Sequence, residues 1–194
     1  MAVTIVNVGY RSTNFYVIST GRTRLLLDLG WPGMFGALSA ELKRKSVPLS
    51  EIHHGFATHF HIDHAGSAQD LKNAGMKLIV TPEQQPFIAA MKAHTKPTDH
   101  YTEITTADNV VVSIADSRAF FKSIDFDGEL IHTPGHSEDS VSLLLDDGSV
   151  FTGDLTHPNF AAEEDAEVVA QSWQTLRDHG AKTVYPGHGP VRGM

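Results

Sequence analysis

The stretch Thr58-His59-Phe60-His61-Ile62-Asp63-His64 constrains this chain more than its length or composition does. It places three imidazoles and a carboxylate within six residues, His59 to His64. Residues 52–58, just before it, read as a buried strand, and a helix is expected over 65–74, stopped by Gly75. At a strand end, a turn lets alternate side chains converge on one point while their neighbours aim at a second. Imidazole nitrogen and carboxylate oxygen suit zinc and other first-row divalent ions. The chain contains no cysteine, so thiolate metal sites, disulfides and a cysteine nucleophile are excluded.

Four ligands seldom come from one loop. Three later segments share one design, a strand running into a glycine-containing turn that holds a metal-capable residue. They are His132-Thr133-Pro134-Gly135-His136, Phe151-Thr152-Gly153-Asp154 and Tyr185-Pro186-Gly187-His188. A neighbouring glycine allows unusual backbone angles and close approach. Strand ends are also where α/β folds gather their active sites.

The remaining pattern mixes α and β. Strands are expected over 3–8, 14–19, 24–28, 77–80, 110–114, 129–132 and 182–185. Segments 140–145 and 150–152 pair across the turn Asp146-Asp147-Gly148. Helices are expected over 34–45, from Thr81-Pro82 onward, and over 163–179. The strand count fits two sheets covered by helices. With no repeat and no linker, residues 1–194 read as a single domain.

The formal net charge of −8 argues against nucleic acid as the main partner, because such proteins usually carry a basic face. No apolar run of 18 residues is present, so no membrane-spanning helix is expected. The opening residues lack a secretory pattern, and the expected location is cytoplasmic. The expected partner is a small-molecule substrate; the oligomeric state is not legible.

In order and spacing, HxHxDH at 59–64, HTPGH, TGD and PGHG together resemble the metallo-β-lactamase-fold hydrolases, over nearly the whole chain. The resemblance implies a four-layer αββα sandwich and two divalent metal ions, zinc first, with iron or manganese also accepted. It implies that His59, His61 and His136 hold one ion, that Asp63, His64 and His188 hold the other, and that Asp154 bridges them. A metal-bridging hydroxide would then attack an acyl carbonyl, with Asp63 and Asp154 orienting it.

Within the family, Asp154 and the lack of cysteine resemble the glyoxalase II branch more than lactamases proper. Only six residues follow His188, so the helical region with which glyoxalase II binds glutathione is not expected. The leading expectation is a short hydrolase of a small ester, thioester or lactone. The rival on the same scaffold is a mono-iron persulfide dioxygenase using His59, His136 and Asp154. A lactamase or lactonase activity, or a non-catalytic relative, completes the alternatives.

Several residues are secondary candidates. Residues 94–106 read as a polar lid or substrate loop in which Tyr101 is a candidate donor to an oxyanion. His157 is a candidate substrate contact just past the TGD turn. The loops at 9–14 and 31–34 are candidate pocket walls. Glu138 and Asp139 read as a solvated turn, with contact to a ligand histidine as the other option. His53, His54 and His132 read as strand residues, and His179 as a helix-end cation.

Overall fold

The computed structural model describes residues 3–194. The first of two sheets has the order β1-β2-β3-β4-β5-β6, formed by Thr4–Asn7, Tyr16–Ser19, Arg24–Leu27, Ile52–Phe56, Lys77–Val80 and Val110–Val111. The second has the order β11-β10-β9-β8-β7. Its strands are Gly128–His132 (β7), Val141–Leu145 (β8), Ser149–Gly153 (β9), Thr183–Pro186 (β10) and Arg192–Gly193 (β11).

The first three strands pair antiparallel, whereas β3 to β6 run parallel. Parallel neighbours need crossovers, and helices supply them. Helix α1 (Phe35–Arg44) joins β3 to β4. Helices α2 (Ile62–Ala65) and α3 (Ala68–Asn73) join β4 to β5, and α4 (Gln85–Ala90) lies between β5 and β6. Helix α5 (Ser117–Ser123) precedes β7, and α6 (Ala166–Asp178) precedes β10.

Three clusters of buried residues define four layers. Tyr16, Ile18, Leu25, Leu27 and Phe56 of the first sheet meet Leu130, Val141, Leu143, Leu145 and Phe151 of the second. On the outer face of the first sheet, Val17, Leu26 and Leu78 pack with Leu38 and Leu42 of α1 and Leu71 of α3. On the outer face of the second, Ile131, Leu144, Val150 and Val184 receive Val169, Trp173 and Leu176 of α6. The architecture is the αββα sandwich expected from the motifs. Strands β8 and β9 are buried at every position because both of their faces are covered.

Helix α6 buries Val169, Ser172, Trp173 and Leu176, a stripe at helical spacing. Each such large apolar side chain contributes about 1.5–3 kcal/mol. Leu176 is fully buried, and truncating it to alanine costs about 2–5 kcal/mol. Helix α1 ends in Lys43 and Arg44, which suit its negative pole.

The structure departs from the sequence expectations in a few elements. The helix expected over 65–74 starts at Ala68 as α3, and a separate short helix, α2, precedes it over Ile62–Ala65. A Cβ at Gly66 would fall 2.3 Å from Pro32 Cδ, so the chain bends around residues 30–32, and Ser67 Oγ donates to Trp31 O at 2.5 Å. The helix expected from Pro82 starts at Gln85 instead. Gln84 turns its side chain inward, accepting from Thr81 N and donating to Ala57 O. The strand expected over 110–114 stops at Val111, where Ser113 begins a turn by donating to Asp116. The acidic run 163–165 forms a separate 3-10 turn ahead of α6. Helix α5 and strand β11 were not expected; both are too short to show periodicity.

No helix among the described residues is long and apolar enough to cross a membrane.

Candidate metal centre

All seven candidate ligands lie on the segments that follow strand ends, five on loops and two in a short helix. His59 and His61 follow β4, and Asp63 and His64 occupy the first turn of α2. His136 follows β7, Asp154 follows β9 and His188 follows β10. The ligand atoms of His59, His61 and His136 lie within 4.8 Å of one another, and so do those of Asp63, His64, Asp154 and His188. The structure thus brings together every metal candidate named from the sequence, in two groups.

The groups adjoin. His136 Nε2 is 3.1 Å from His61 Nδ1 in the first. Asp154 Oδ2 is 3.7 Å from that same His136 Nε2 and 3.3 Å from His188 Nε2 in the second. Asp154 Oδ1 is 3.3 Å from His64 Nε2. One carboxylate therefore faces both sets of imidazoles.

The surrounding hydrogen bonds fix the ring tautomers, which decide where the lone pairs point. His188 Nδ1 lies 2.6 Å from Ser12 O. A carbonyl only accepts, so Nδ1 carries the proton and Nε2 faces Asp63 and Asp154. His64 Nδ1 likewise donates to Asp28 Oδ2 at 2.9 Å. His59 Nδ1 is 3.1 Å from Thr58 Oγ1; that hydroxyl donates onward to Asp28 Oδ1, so the imidazole donates to it. His59 Nε2 is buried and makes no hydrogen bond among the described residues, and buried polar atoms are rarely left so. His64 Nε2 and Asp154 Oδ1, also buried, face each other at 3.3 Å. Such inward-facing nitrogen and oxygen atoms fit divalent cations.

Electrostatics agree. Burial, reinforced by the neighbouring histidines His64, His61 and His136, holds His59 well below the ordinary histidine pKa, so it is neutral and able to ligate. Burial also lowers His136. Burial opposes charge on His64 as well, but Asp28 and Asp154 outweigh it and raise its pKa well above the ordinary value. Burial works against the Asp154 carboxylate, yet His64, His188 and His136 keep its pKa low. A proton held on His64 between carboxylates occupies the place that a cation would take.

Two carboxylates support this arrangement, and sequence reasoning missed one and misread the other. Asp28, 1% exposed, sits in the left-handed region at φ 59° directly after β3, a conformation that aspartate tolerates. Its Oδ1 accepts from Thr58 N at 2.8 Å and from Thr58 Oγ1, and its Oδ2 holds His64. Asp139 was expected in a solvated turn but is 1% exposed. Its Oδ2 accepts from Phe60 N at 2.7 Å, between the two candidate ligands His59 and His61. Glu138 is the exposed one; its carbonyl faces His132 Nε2. No pattern marks Asp28 in the sequence beyond its place after an apolar strand.

Close approach shapes the last ligand loop. A Cβ on Gly187 would fall 2.4 Å from Asp154 Oδ1 and 2.6 Å from His64 Cε1, so only glycine fits. Asn14 Nδ2 donates to Pro186 O and Gly189 O, and Tyr16 Oη to Pro186 O, which cradles the turn. Asp63 is oriented by a relay in which Trp31 Nε1 donates to Thr13 Oγ1 and Thr13 Oγ1 donates to Asp63 Oδ2.

The two substrate-contact candidates lie apart from these groups. Tyr101 Oη points to Met91 Sδ at 3.7 Å, and its ring packs on the core. His157 accepts from Asn159 N and stands beside Phe160 and Trp173. His61 and His136 are exposed, so the first group opens to solvent.

A sandwich of two sheets with histidines and aspartates on its loop edge defines a class of metal-dependent proteins, and comparison with known proteins names it. The chain belongs to the metallo-beta-lactamase superfamily, whose family model matches residues 8–188. An atrochrysone carboxyl ACP thioesterase of Aspergillus fumigatus is 32% identical over 191 residues, covering 93% of this chain and 52% of that protein. A beta-lactamase-like protein 2 homolog of Caenorhabditis elegans is 27% identical, covering 93% and 57%. The chain thus spans about half the length of the curated relatives it matches. Among solved structures, the BLEG-1 B3 metallo-beta-lactamase superposes with a TM-score of 0.70 at 21% identity, covering 99% of this chain and 94% of that one. A metallo-beta-lactamase family protein from Thermus thermophilus gives 0.70 at 17% identity, covering 98% and 74%.

Proposed function

We propose that this chain is a dinuclear metal-dependent hydrolase of a small thioester or ester. His59, His61 and His136 hold one divalent ion, Asp63, His64 and His188 the other, and Asp154 is shared. Zinc suits the nitrogen-rich ligand set best. The observation that carries the reading is the position of Asp154, with oxygens facing imidazoles of both groups. Ions bound there supply an acidified water and a Lewis acid for an acyl oxygen.

The chain's own residues do the rest. Asp28, Thr58 and Ser12 O fix the imidazole tautomers. The Trp31–Thr13 relay holds Asp63 in place. Asp154 is kept ionised by the histidines around it, so it can accept a hydrogen bond from an attacking water and orient it. The exposure of His61 and His136 leaves a path for an acyl group from solvent. The thioesterase name of the 32% identical relative supports a thioester over a lactam, and the ligand groups support a shared catalytic edge.

The test is turnover of S-acyl thioesters, carboxylic esters, lactones and a β-lactam by protein loaded with zinc, iron or manganese. The proposal expects thioester or ester cleavage that a chelator abolishes and metal restores. Cleavage that persists in chelator, or oxygen uptake with a persulfide and no hydrolysis, contradicts it.

A further inference from the structure

A cavity of about 250 Å³ is lined by Arg11, Trp31, Met34, Ile62, Asp99 and His100 among others. Its walls are the chain neighbours of the ligands. Ile62 stands between His61 and Asp63. Arg11 precedes Ser12, whose carbonyl holds His188. Trp31 heads the relay to Asp63. The cavity therefore shares its loops with the candidate ligands.

Arg11 is the distinctive member. Its guanidinium lies 5.1 Å from the centre of the Trp31 ring, and among the described residues it forms no ion pair. Some cations of the chain are held by carboxylates, as in Lys72–Asp108, Lys92–Glu103 and Arg118–Glu129, whereas Arg11 lines this cavity with no carboxylate paired to it among the described residues. A guanidinium held over an indole by cation–π attraction keeps N–H groups available for a carboxylate or phosphate. Arg11 is also held at φ 56°, a conformation uncommon for a residue with a side chain. Bridges from Thr13 to Tyr10 and to His188 pin the tip of this loop.

Asp99 lines the same cavity, but its Oδ2 accepts from Lys96 N at 2.7 Å and caps a 3-10 turn. Arg11 is left as the charged group without a partner. The volume is below the roughly 300–1,000 Å³ of whole-ligand pockets, so it suits a terminal group.

We propose that the cavity between Arg11, Trp31, Ile62 and His100 binds an anionic group, carboxylate or phosphate, at the end of the substrate remote from the scissile acyl bond. The proposal rests on the hydrolase reading above. It gives loops 9–14 and 97–100 a role in selecting substrate.

The test uses the metal-loaded protein and its Arg11→Gln variant. The substrates are S-butyryl 3-mercaptopropionate against its methyl ester, and S-butyryl 2-mercaptoethyl phosphate against S-butyryl 2-mercaptoethanol. The expected result is a kcat/KM ratio, anionic over neutral, that favours the anion in the natural protein and falls about tenfold or more in Arg11→Gln. The pair whose ratio falls identifies the anion. Equal ratios in the two proteins overturn the proposal. Calorimetric binding of the matching S-butyl thioethers, which cannot be hydrolysed, separates this from the hydrolase reading. Arg11-dependent binding upholds the cavity even if no thioester is cleaved. Binding equal in both proteins overturns it even if thioesters are.

Discussion

Asp28 Oδ2 receives the Nδ1 proton of His64 at 2.9 Å, with both side chains buried. The same carboxylate binds the backbone and hydroxyl of Thr58, one residue before His59. A single aspartate at the end of β3 therefore orients a ligand in each of the two groups. Asp28→Asn keeps the left-handed backbone but weakens the acceptor. Outer partners of this kind are worth about 10- to 100-fold in metal affinity. Competition with a chromophoric chelator should show a loss of that size, without loss of the fold by circular dichroism.

Asp139 makes a separable prediction. Its bond to Phe60 N ties the β7–β8 turn to the loop that carries His59 and His61. Asp139→Ala leaves a buried amide unpaired, at a cost of about 1–3 kcal/mol. Thermal unfolding of the metal-free protein should record it. Asp139→Asn keeps an acceptor oxygen and should recover part of the loss.

These two carboxylates show what the sequence could and could not reveal. The candidate ligands were legible because HxHxDH is local and because each later candidate sits in a glycine turn after an apolar strand. Asp28 and Asp139 act across 36 and 79 residues respectively, and nothing local distinguishes either from a turn residue. Asp139 beside Glu138 reads as solvent-exposed; only the fold shows that one faces inward. The split at Gly66 was hidden for the same reason, since it depends on Pro32 from another segment. Two sheets covered by helices were legible from the strand count, and the four layers from the motif resemblance, whereas α5 was too short to show an apolar stripe.

Metal binding should release protons. His64 has its pKa raised by Asp28 and Asp154, so in the metal-free protein it is protonated at neutral pH and must lose Nε2–H to ligate. His59, lowered by burial, is already neutral there and contributes no proton. Affinity should therefore rise with pH through neutrality. Calorimetric titration with zinc near pH 7, in buffers of different ionisation enthalpy, should give release of at least one proton, with any ionisation of metal-bound water adding to it. Uptake of protons, or affinity that falls as pH rises, would refute this assignment.

Gly187→Ala tests the geometry of the last ligand loop. Its Cβ would collide with Asp154 and His64, so the damage should fall on the centre rather than on the core. Hydrolysis should drop by more than the roughly 10- to 100-fold typical of an outer partner, with metal content reduced in step. Normal metal content with normal turnover would mean that the loop can yield.

The central claim is that one carboxylate, Asp154, is shared by two metal ions. Elemental analysis of protein purified without chelators or metal-binding tags, alongside the Asp154→Asn variant, tests it most directly. The account predicts about two divalent ions per chain, with loss of metal and of thioester turnover together in the variant. A single iron per chain, with both thioester turnover and metal content indifferent to Asp154, would contradict it.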